Sequence, residues 1–444
     1  MKRILTITIL AGIFYGCGNY SSGELVGVKN RGSYFEPVPF GMVFIPQGSF
    51  NMGPVEEDIT FAQNSFVRTV TMDAFWMDET EITNNEYRQF VYFVIDSIKR
   101  RMLAEQLDDY VISEDEFGNP YDPPHLNYST KIDESDQEVN EILKPLYYQG
   151  EEKFYGRKQV DTRKLMYEYY WVDYFQASKK TNRYNFKTKE YEGYVINNNG
   201  EKVKVESRAD FIMRDVVNVY PDTLCWMADF TYAYNEPYTQ TYFWHPSYDN
   251  YPLVGVSWVQ ARAFSIWRTR LLNEALTLRG EFFVQDYRLP LEAEWEYAAR
   301  GGLDLAKYPW GGPYARNMQG CFLANFKPLR GNYTDDGGSV TTPVGTYSPN
   351  EYGLYDMAGN VAEWTESAFD ESAYSYMHDL NPNYQYYATP DDPVVLKRKV
   401  IRGGSWKDVA YFLECGTRAY EYQDTAKSYI GFRCVRSYLG NKRF

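Results

Sequence analysis

From Gly41 onward this chain delivers its apolar residues in short runs broken by glycine and proline, and that spacing limits what it can fold into. Met42–Ile45, Phe50–Met52 and Val70–Met77 read as strands bounded by turns. Helical patterning occurs three times. Thr83-x-x-Glu86 is a capping box that opens a helix through about Lys99, with Tyr87, Phe90, Val91 and Val94 at helical spacing. Ser257-x-x-Gln260 opens a second, from Trp258 to about Leu272, whose Ala261, Phe264, Ile266 and Trp267 give a broad buried face. Leu291 to Arg300 forms a third, stopped by Gly301-Gly302. After it come turns and short strands: PWGG, PVGTY, GLYDMAGNVAEW, VIRGGSW and GFRCVR. No tandem repeat is visible.

Residues 100–240 differ from the rest. They carry charge runs (Ser113 to Glu116, Asp133 to Glu138), clustered tyrosines (Tyr167, Tyr169, Tyr170, Tyr174) and a turn at Asn197 to Gly200. The stretch reads as a large insertion, part helix and part loop, and not as a separate domain. Its tyrosines either pave an interface, where tyrosine is favoured, or cover the host domain.

At the N-terminus, Lys2 and Arg3 precede an eleven-residue apolar run, Ile4 to Phe14, and Tyr15-Gly16 then puts a small residue before Cys17. The run suits a signal peptide and falls short of the ~20 apolar residues of a spanning helix. The segment resembles a bacterial lipobox, although Phe14 and Tyr15 depart from the usual smaller aliphatic residues. It implies cleavage of residues 1–16, lipid attachment at Cys17, and a polar, glycine-rich tether over 17–37; an ordinary signal peptide with an incidental cysteine is the alternative. A chain held by its first residue works outside the cytoplasm. No acidic export run follows Cys17, where the chain reads Gly-Asn-Tyr-Ser-Ser-Gly, which favours the periplasmic face of the outer membrane. Losing Lys2 and Arg3 takes the formal charge from −14 to −16. So acidic a chain is a poor partner for nucleic acid or an anionic membrane face. With 43 tyrosines and 26 phenylalanines it has too much aromatic area to be disordered. Cys225, Cys321, Cys415 and Cys434 allow three full pairings, and free, buried thiols are the expectation.

Eight segments, in order, resemble the formylglycine-generating-enzyme (sulfatase-modifying factor) family: FIPQGSFNMG (44–53), ETEITNNEY (79–87), PLVGVSWVQARAF (252–264), RLPLEAEWEYAARGG (288–302), YPWGG (308–312), NEYGLYDMAGNVAEW (350–364), RGGSW (402–406) and GFRCV (431–435). The resemblance implies a C-type-lectin-like α+β fold over 38–440, with much irregular structure and 100–240 as a lineage-specific insertion. The insertion's exit, VYPDTLCWMADFTYAYNEPYTQTYFWHPSYDNYPLVGVSW (219–258), is similar to the gliding-motility and type IX secretion lipoproteins of Bacteroidota, most of all the ring-forming K type. That likeness implies a periplasmic ring under the outer membrane, built from copies of this chain and a partner, the N subunit.

The family's enzyme oxidises a substrate cysteine with copper held by two thiolates, a soft pair suited to Cu(I). The resemblance puts that pair shortly after the Gly-Gly-Ser turn. Here Ser405 and Trp406 are followed by Lys407-Asp-Val-Ala-Tyr-Phe-Leu-Glu414, with no cysteine. Cys415, three residues before Arg418, matches a structural position instead. The enzyme's disulfides would need thiols where this chain has Ser265 and Ala299. No catalytic residue and no copper are therefore expected. The three histidines, His125, His245 and His378, form no metal motif. Glu292, Glu294 and Glu296 read as solvated or locally paired carboxylates, because spacing of two turns successive side chains apart on a helix. Ser405 shows no base nearby in sequence.

By likeness to the family, two structural calcium sites are expected. One would use Asp356, Glu363 and the carbonyls of Gly359 and Val361. The other would use Asn325, Asp336 and the carbonyls of Phe326 and Gly338. Ca²⁺ takes 6–8 oxygen ligands from carboxylates and backbone carbonyls, a mix that both glycine-rich loops offer. The threonine that usually caps the helix at Glu292 in this family is Leu291 here, a loss of ~1 kcal/mol if nothing replaces it. Two further readings stay open: a cysteine oxidase with an unorthodox ligand set, and a calcium-dependent glycan-binding module.

Overall fold

A computed structural model describes residues 36–55, 66–114, 117–197, 200–230, 232, 237–328, 334 and 337–440. Cys17 and Asp336 lie outside the described residues, as do the leader and most of the tether. Among the described residues no helix is long and apolar enough to cross a membrane.

In chain order the framework begins with strands β1 (Met42–Ile45), β2 (Gly48–Met52), β3 (Arg68–Met72) and β4 (Phe75–Asp78), then helix α1 (Asn84–Ala104). The insertion contributes strands β5 (Met166–Val172) and β6 (Ile212–Asn218). Helix α2 (Trp258–Leu278), strand β7 (Tyr287–Arg288) and helix α3 (Glu292–Arg300) follow. The last strands are β8 (Ala362–Ala368), β9 (Arg398–Arg402), β10 (Ala419–Tyr422), β11 (Ile430–Gly431) and β12 (Val435–Ser437). The architecture is α+β. One sheet has the order β1-β4-β12-β7 and is antiparallel throughout. Its β4 is flanked on both sides, with Met77 opposite Val43 on β1 and Val435 on β12. All four β4 residues are buried as a result. The other sheet has the order β10-β9-β8-β11, and only β8 and β11 run parallel.

Both capping boxes form. Thr83 Oγ1 accepts from the Glu86 N–H and Glu86 Oε2 accepts from the Thr83 N–H, at 3.3 and 2.8 Å. Ser257 and Gln260 exchange the same pair of bonds. Each helix outruns its sequence reading. α1 continues to Ala104 because Arg100 is held by Asp96 one turn back at 2.7 Å, and Leu103 is buried with Leu143 and Leu146 of the insertion. Where α1 and α2 meet, Tyr87 stacks on Phe264 at 5.5 Å and Phe90 packs against Trp267 at 5.1 Å. α3 has lost its threonine cap, yet its first N–H is not orphaned. Ser367 Oγ, on β8, accepts from the Glu292 N–H at 3.1 Å.

The insertion is richer in strand than its sequence suggests. β5 and β6 form a seven-residue antiparallel ribbon, with Met166 opposite Asn218 and Val172 opposite Ile212. Its tyrosines divide. On β5, Tyr167 and Tyr169 are buried against the helical core and Tyr170 is exposed, while Tyr174, past the end of the strand, is exposed as well. Strand alternation separates neighbours in this way, and it was masked because six of the seven β5 residues are aromatic, aliphatic or otherwise large.

Of the two alternatives read for the α3 carboxylates, solvation is corrected, since Glu292, Glu294 and Glu296 are all buried, while local pairing is found for Glu296 with Arg300 and Glu294 with Arg288. Glu292 receives Arg418 at 2.6 and 3.1 Å and Arg402 at 2.7 Å. Glu296 receives Arg402 at 3.0 Å, Arg300 at 2.7 Å and the Gly53 N–H at 2.8 Å. Glu294 pairs with Arg288 through two bonds. Residues 292 and 296 are four apart and share a face, so one guanidinium bridges both. Burial alone would raise the Glu292 pKa, but the guanidinia of Arg418 and Arg402 overcome it and hold this carboxyl below its ordinary value.

A depressed folded-state pKa means this stabilisation is complete above the ordinary carboxylate range and is lost as pH falls through the lower folded value. Urea unfolding of the wild type should weaken through that acid window, and Glu292→Gln should flatten the slope. Arg402→Met leaves two buried carboxylates short of a partner and should cost about 3–5 kcal/mol at neutral pH. A loss below about 1 kcal/mol, within the range of surface pairs, would contradict the assignment.

Candidate functional site

Three stretches converge on the region that the sequence marks: the turn after β9, the loop before β8, and the segment 322–328. Arg402 ends β9 inside the buried ion cluster, so the turn Gly403-Gly404-Ser405 starts from a fixed point. Gly404 has φ +64°, and a Cβ there would sit 2.8 Å from the Phe412 carbonyl oxygen. Only glycine lets the turn fold back on residues 405–413. Ser405 is fully buried. Its Oγ donates to Asp408 Oδ2 at 2.6 Å and accepts from the Lys407 N–H at 3.3 Å. A carboxylate does therefore lie on Ser405, contrary to the sequence reading. The pair closes a local turn and no histidine joins it. His125, His245 and His378 are all exposed, on separate segments.

Residues 406–414 bring no thiol to this turn. Cys415 is fully buried, with its thiol pushed up to about 12 by burial. It packs in the same apolar cluster as Ala299. Cys434, also buried and pushed up to about 12, lies 3.5 Å from Ser265 Oγ. Cys434 thus has a hydroxyl, and not a thiol, as its near neighbour. Cys225 is buried as well, its thiol raised by burial. Cys321 is the departure from expectation: it is exposed, at the tip of a hairpin. The described cysteines are all free.

The loop before β8 turns sharply. Asp356, Gly359 and Asn360 have φ of +53°, +81° and +60°. That region suits Gly, Asn and Asp. A Cβ at Gly359 would meet the Asn325 carbonyl oxygen at 2.4 Å, so this loop is docked directly on the 322–328 segment. Glu363 is fully committed. Arg433 reaches both its oxygens at 2.6–2.9 Å, and Oε2 also accepts from Trp295 Nε1 at 2.8 Å. Asp356 Oδ2 accepts from the Gly345 N–H at 2.6 Å, while its Oδ1 is buried without a partner.

Glu81, which sequence reading missed, completes the group. It is fully buried beside Asp356, and its Oε2 is likewise unpartnered. Burial foremost, then the Asp356 charge, raises the Glu81 pKa well above its ordinary value. Burial also lifts Asp356 to about 6. Two facing carboxyls with bare oxygens need a shared proton or a cation between them. Among the described residues no three His, Cys, Asp or Glu side chains converge as metal ligands. Glu81 and Asp356 nevertheless present two buried carboxyl oxygens without partners, donors of the hard oxygen type that Ca²⁺ takes.

Asn360 links the two expected calcium loops. Its Nδ2 donates to Glu81 Oε1 at 3.1 Å, its Oδ1 accepts from the Thr342 N–H at 2.9 Å, and its N–H donates to the Asn325 carbonyl at 2.8 Å. In the second loop Asn325 is buried, and its Nδ2 donates to the Val340 carbonyl at 2.7 Å. Phe326 is buried in an apolar cluster with Phe322. Gly338 lies close against Val340 and Thr342. The fourth expected ligand, Asp336, lies outside the described residues. A Gly-Asn pair between apolar residues was the one sequence signal for Asn360. Glu81 gave none, since its partner is 275 positions away at Asp356.

The profile of the Sulfatase-modifying factor enzyme 1-like domain family matches residues 35–438. Among curated relatives, the chain is 35% identical over 191 residues to the Inactive C-alpha-formylglycine-generating enzyme 2 of Bos taurus, covering 42% of this chain and 50% of that protein. It is 33% identical over 200 residues to the Formylglycine-generating enzyme of Mus musculus, covering 43% and 45%. The match thus spans about half the length of these relatives. Among solved structures, PvdO from Pseudomonas aeruginosa aligns over 89% of this chain and 94% of its own, at 17% identity and a TM-score of 0.41. The chain belongs to the Sulfatase-modifying factor enzyme 1-like domain family.

Proposed function

We propose that this member of the family is a non-catalytic scaffold, lipid-anchored through Cys17 on the periplasmic face of the outer membrane. In this reading it builds the periplasmic ring of the type IX secretion and gliding-motility machinery with copies of itself and the N subunit. The observation that carries the non-catalytic part is the turn after Ser405. It offers no thiolate pair to a soft metal, its one hydroxyl is buried against Asp408, and the next thiol, Cys415, is buried and held protonated. The Bos taurus relative named inactive supports the same view. The anchor, the ring and its partner rest on the sequence likenesses at residues 2–17 and 219–258. Exposed Tyr170, Tyr174, Phe175 and Phe186 on the insertion suit protein contact, where aromatic residues are enriched.

A glycan-binding role draws less support. The crevice beside Asp356, lined by Trp310, Tyr347 and Asn350, encloses about 20 Å³. That is room for one water and not for a sugar ring.

Calcium in this reading is structural. Glu81, Asp356 and the carbonyls of Gly359 and Val361 would hold one ion, with Glu363 fixing the end of the loop through Arg433. Asn325, Asp336 and the carbonyls of Phe326 and Gly338 would hold a second. Calcium at a hundredfold over its Kd should then stabilise the fold by about 2.7 kcal/mol for a single site, read as a rise in Tm. Glu81→Gln combined with Asp356→Asn should remove the first loop's share of the rise. A Tm indifferent to calcium and to chelator would contradict the assignment. For the assembly, mild detergent extraction of the outer-membrane fraction followed by negative-stain imaging should show rings that co-purify with a periplasmic partner. Recovery of monomer alone would overturn the scaffold reading.

A further inference from the structure

The described surface also holds an open cavity of about 320 Å³ that the scaffold reading does not use. That volume lies at the lower end of the range for small-molecule sites. Three walls build it. The first is the hairpin 315–323, closed by bonds from the Leu323 N–H to the Ala315 carbonyl at 3.1 Å and from the Asn317 N–H to the Cys321 carbonyl at 2.9 Å. Asn317 Oδ1 stiffens its tip by accepting from the N–H groups of Gln319 and Cys321. The second wall is 326–328, tied to the turn after Ser405 by the Lys327 N–H on the Asp408 carbonyl at 2.8 Å. Ala410 supplies the third. Phe322 and Phe326, edge to face at 5.2 Å, form an apolar floor that is itself buried against Tyr308 and Leu413.

Among the described residues that line the cavity, the charged ones are Arg316 and Lys327, both cations, in a chain whose formal charge is −14. Arg316 lies over the Phe322 ring at 3.9 Å and donates one bond to the Gly320 carbonyl at 3.0 Å. Neither cation has a carboxylate partner among the described residues. Two uncompensated cations beside an apolar floor favour a ligand with an apolar body and an anionic end.

We propose that this cavity is a binding site for a small apolar carboxylate, with a single aromatic ring or short acyl chain on Phe322 and Phe326 and the carboxylate between Arg316 and Lys327. Such binding is independent of whether the chain assembles into a ring. Isothermal titration of the full-length protein with 4-phenylbutyrate and its neutral amide tests it. The carboxylate should bind with one-to-one stoichiometry, and about tenfold more tightly than the amide, because the charged hydrogen bond is lost in the amide. Lys327→Ala should reduce that preference, and Arg316→Gln combined with Lys327→Ala should bring the two probes to within about twofold of each other. Ala410→Trp should fill the cavity and abolish both, with the thermal midpoint as its control. Absence of binding at millimolar probe would overturn the proposal. So would binding whose charge preference survives the double variant, an outcome that decides the matter even if Ala410→Trp fails to fold.

Discussion

The contact that the rest of the structure depends on is Arg402 between Glu292 and Glu296. Charges taken out of water are costly unless they are paired and hydrogen-bonded, and Arg402 is paired through both of its terminal NH groups. Here the partners come from α3, from β9, from the 415–418 segment and from Gly53. Each of those segments is irregular or short, and none would hold its place alone. The cluster thereby links distant parts of the chain. It also decides where the site begins, because Arg402 is followed at once by the Gly403-Gly404-Ser405 turn.

A second buried pair does the same for the other loop. Arg433 locks Glu363 at the start of β8, and its NH groups also reach the carbonyls of Asp78, Glu79 and Tyr355. The bend from Asp356 to Asn360 is suspended between that anchor and Asn325. Neither ion cluster uses a thiol. The residues that shape these loops are thus carboxylates, arginines and glycines. Ser265 lies against Cys434, and Cys415 packs in the same apolar cluster as Ala299, both cysteines being free.

What the sequence made legible was local. Thr83 with Glu86, Ser257 with Gln260, and Gly301 after Arg300 mark helix ends because capping partners lie within three residues of one another. The glycines at 359 and 404 announce turns that no other residue would make. What it concealed was long-range. The burial of Glu292 and Glu296 depends on arginines more than 100 positions later, and helical spacing alone gave no sign of them. Glu81 sits within a motif that reads as a helix start, yet its oxygens face Asp356. The insertion's ribbon escaped notice because tyrosines on both of its faces blurred the alternation. Ser367 replacing the lost threonine cap shows the same limit on a small scale, since a cap can be lent by a strand far away in sequence.

The proposed scaffold role requires that the turn beyond Ser405 hold no soft metal. The decisive measurement is copper content after reconstitution of the purified protein with Cu(I) and exhaustive dialysis against a competing chelator. Far less than one tightly held copper per chain is expected, with no oxygen-dependent change in the mass of a sulfatase-type cysteine peptide. One copper per chain retained through dialysis, together with that peptide mass change, would contradict that role.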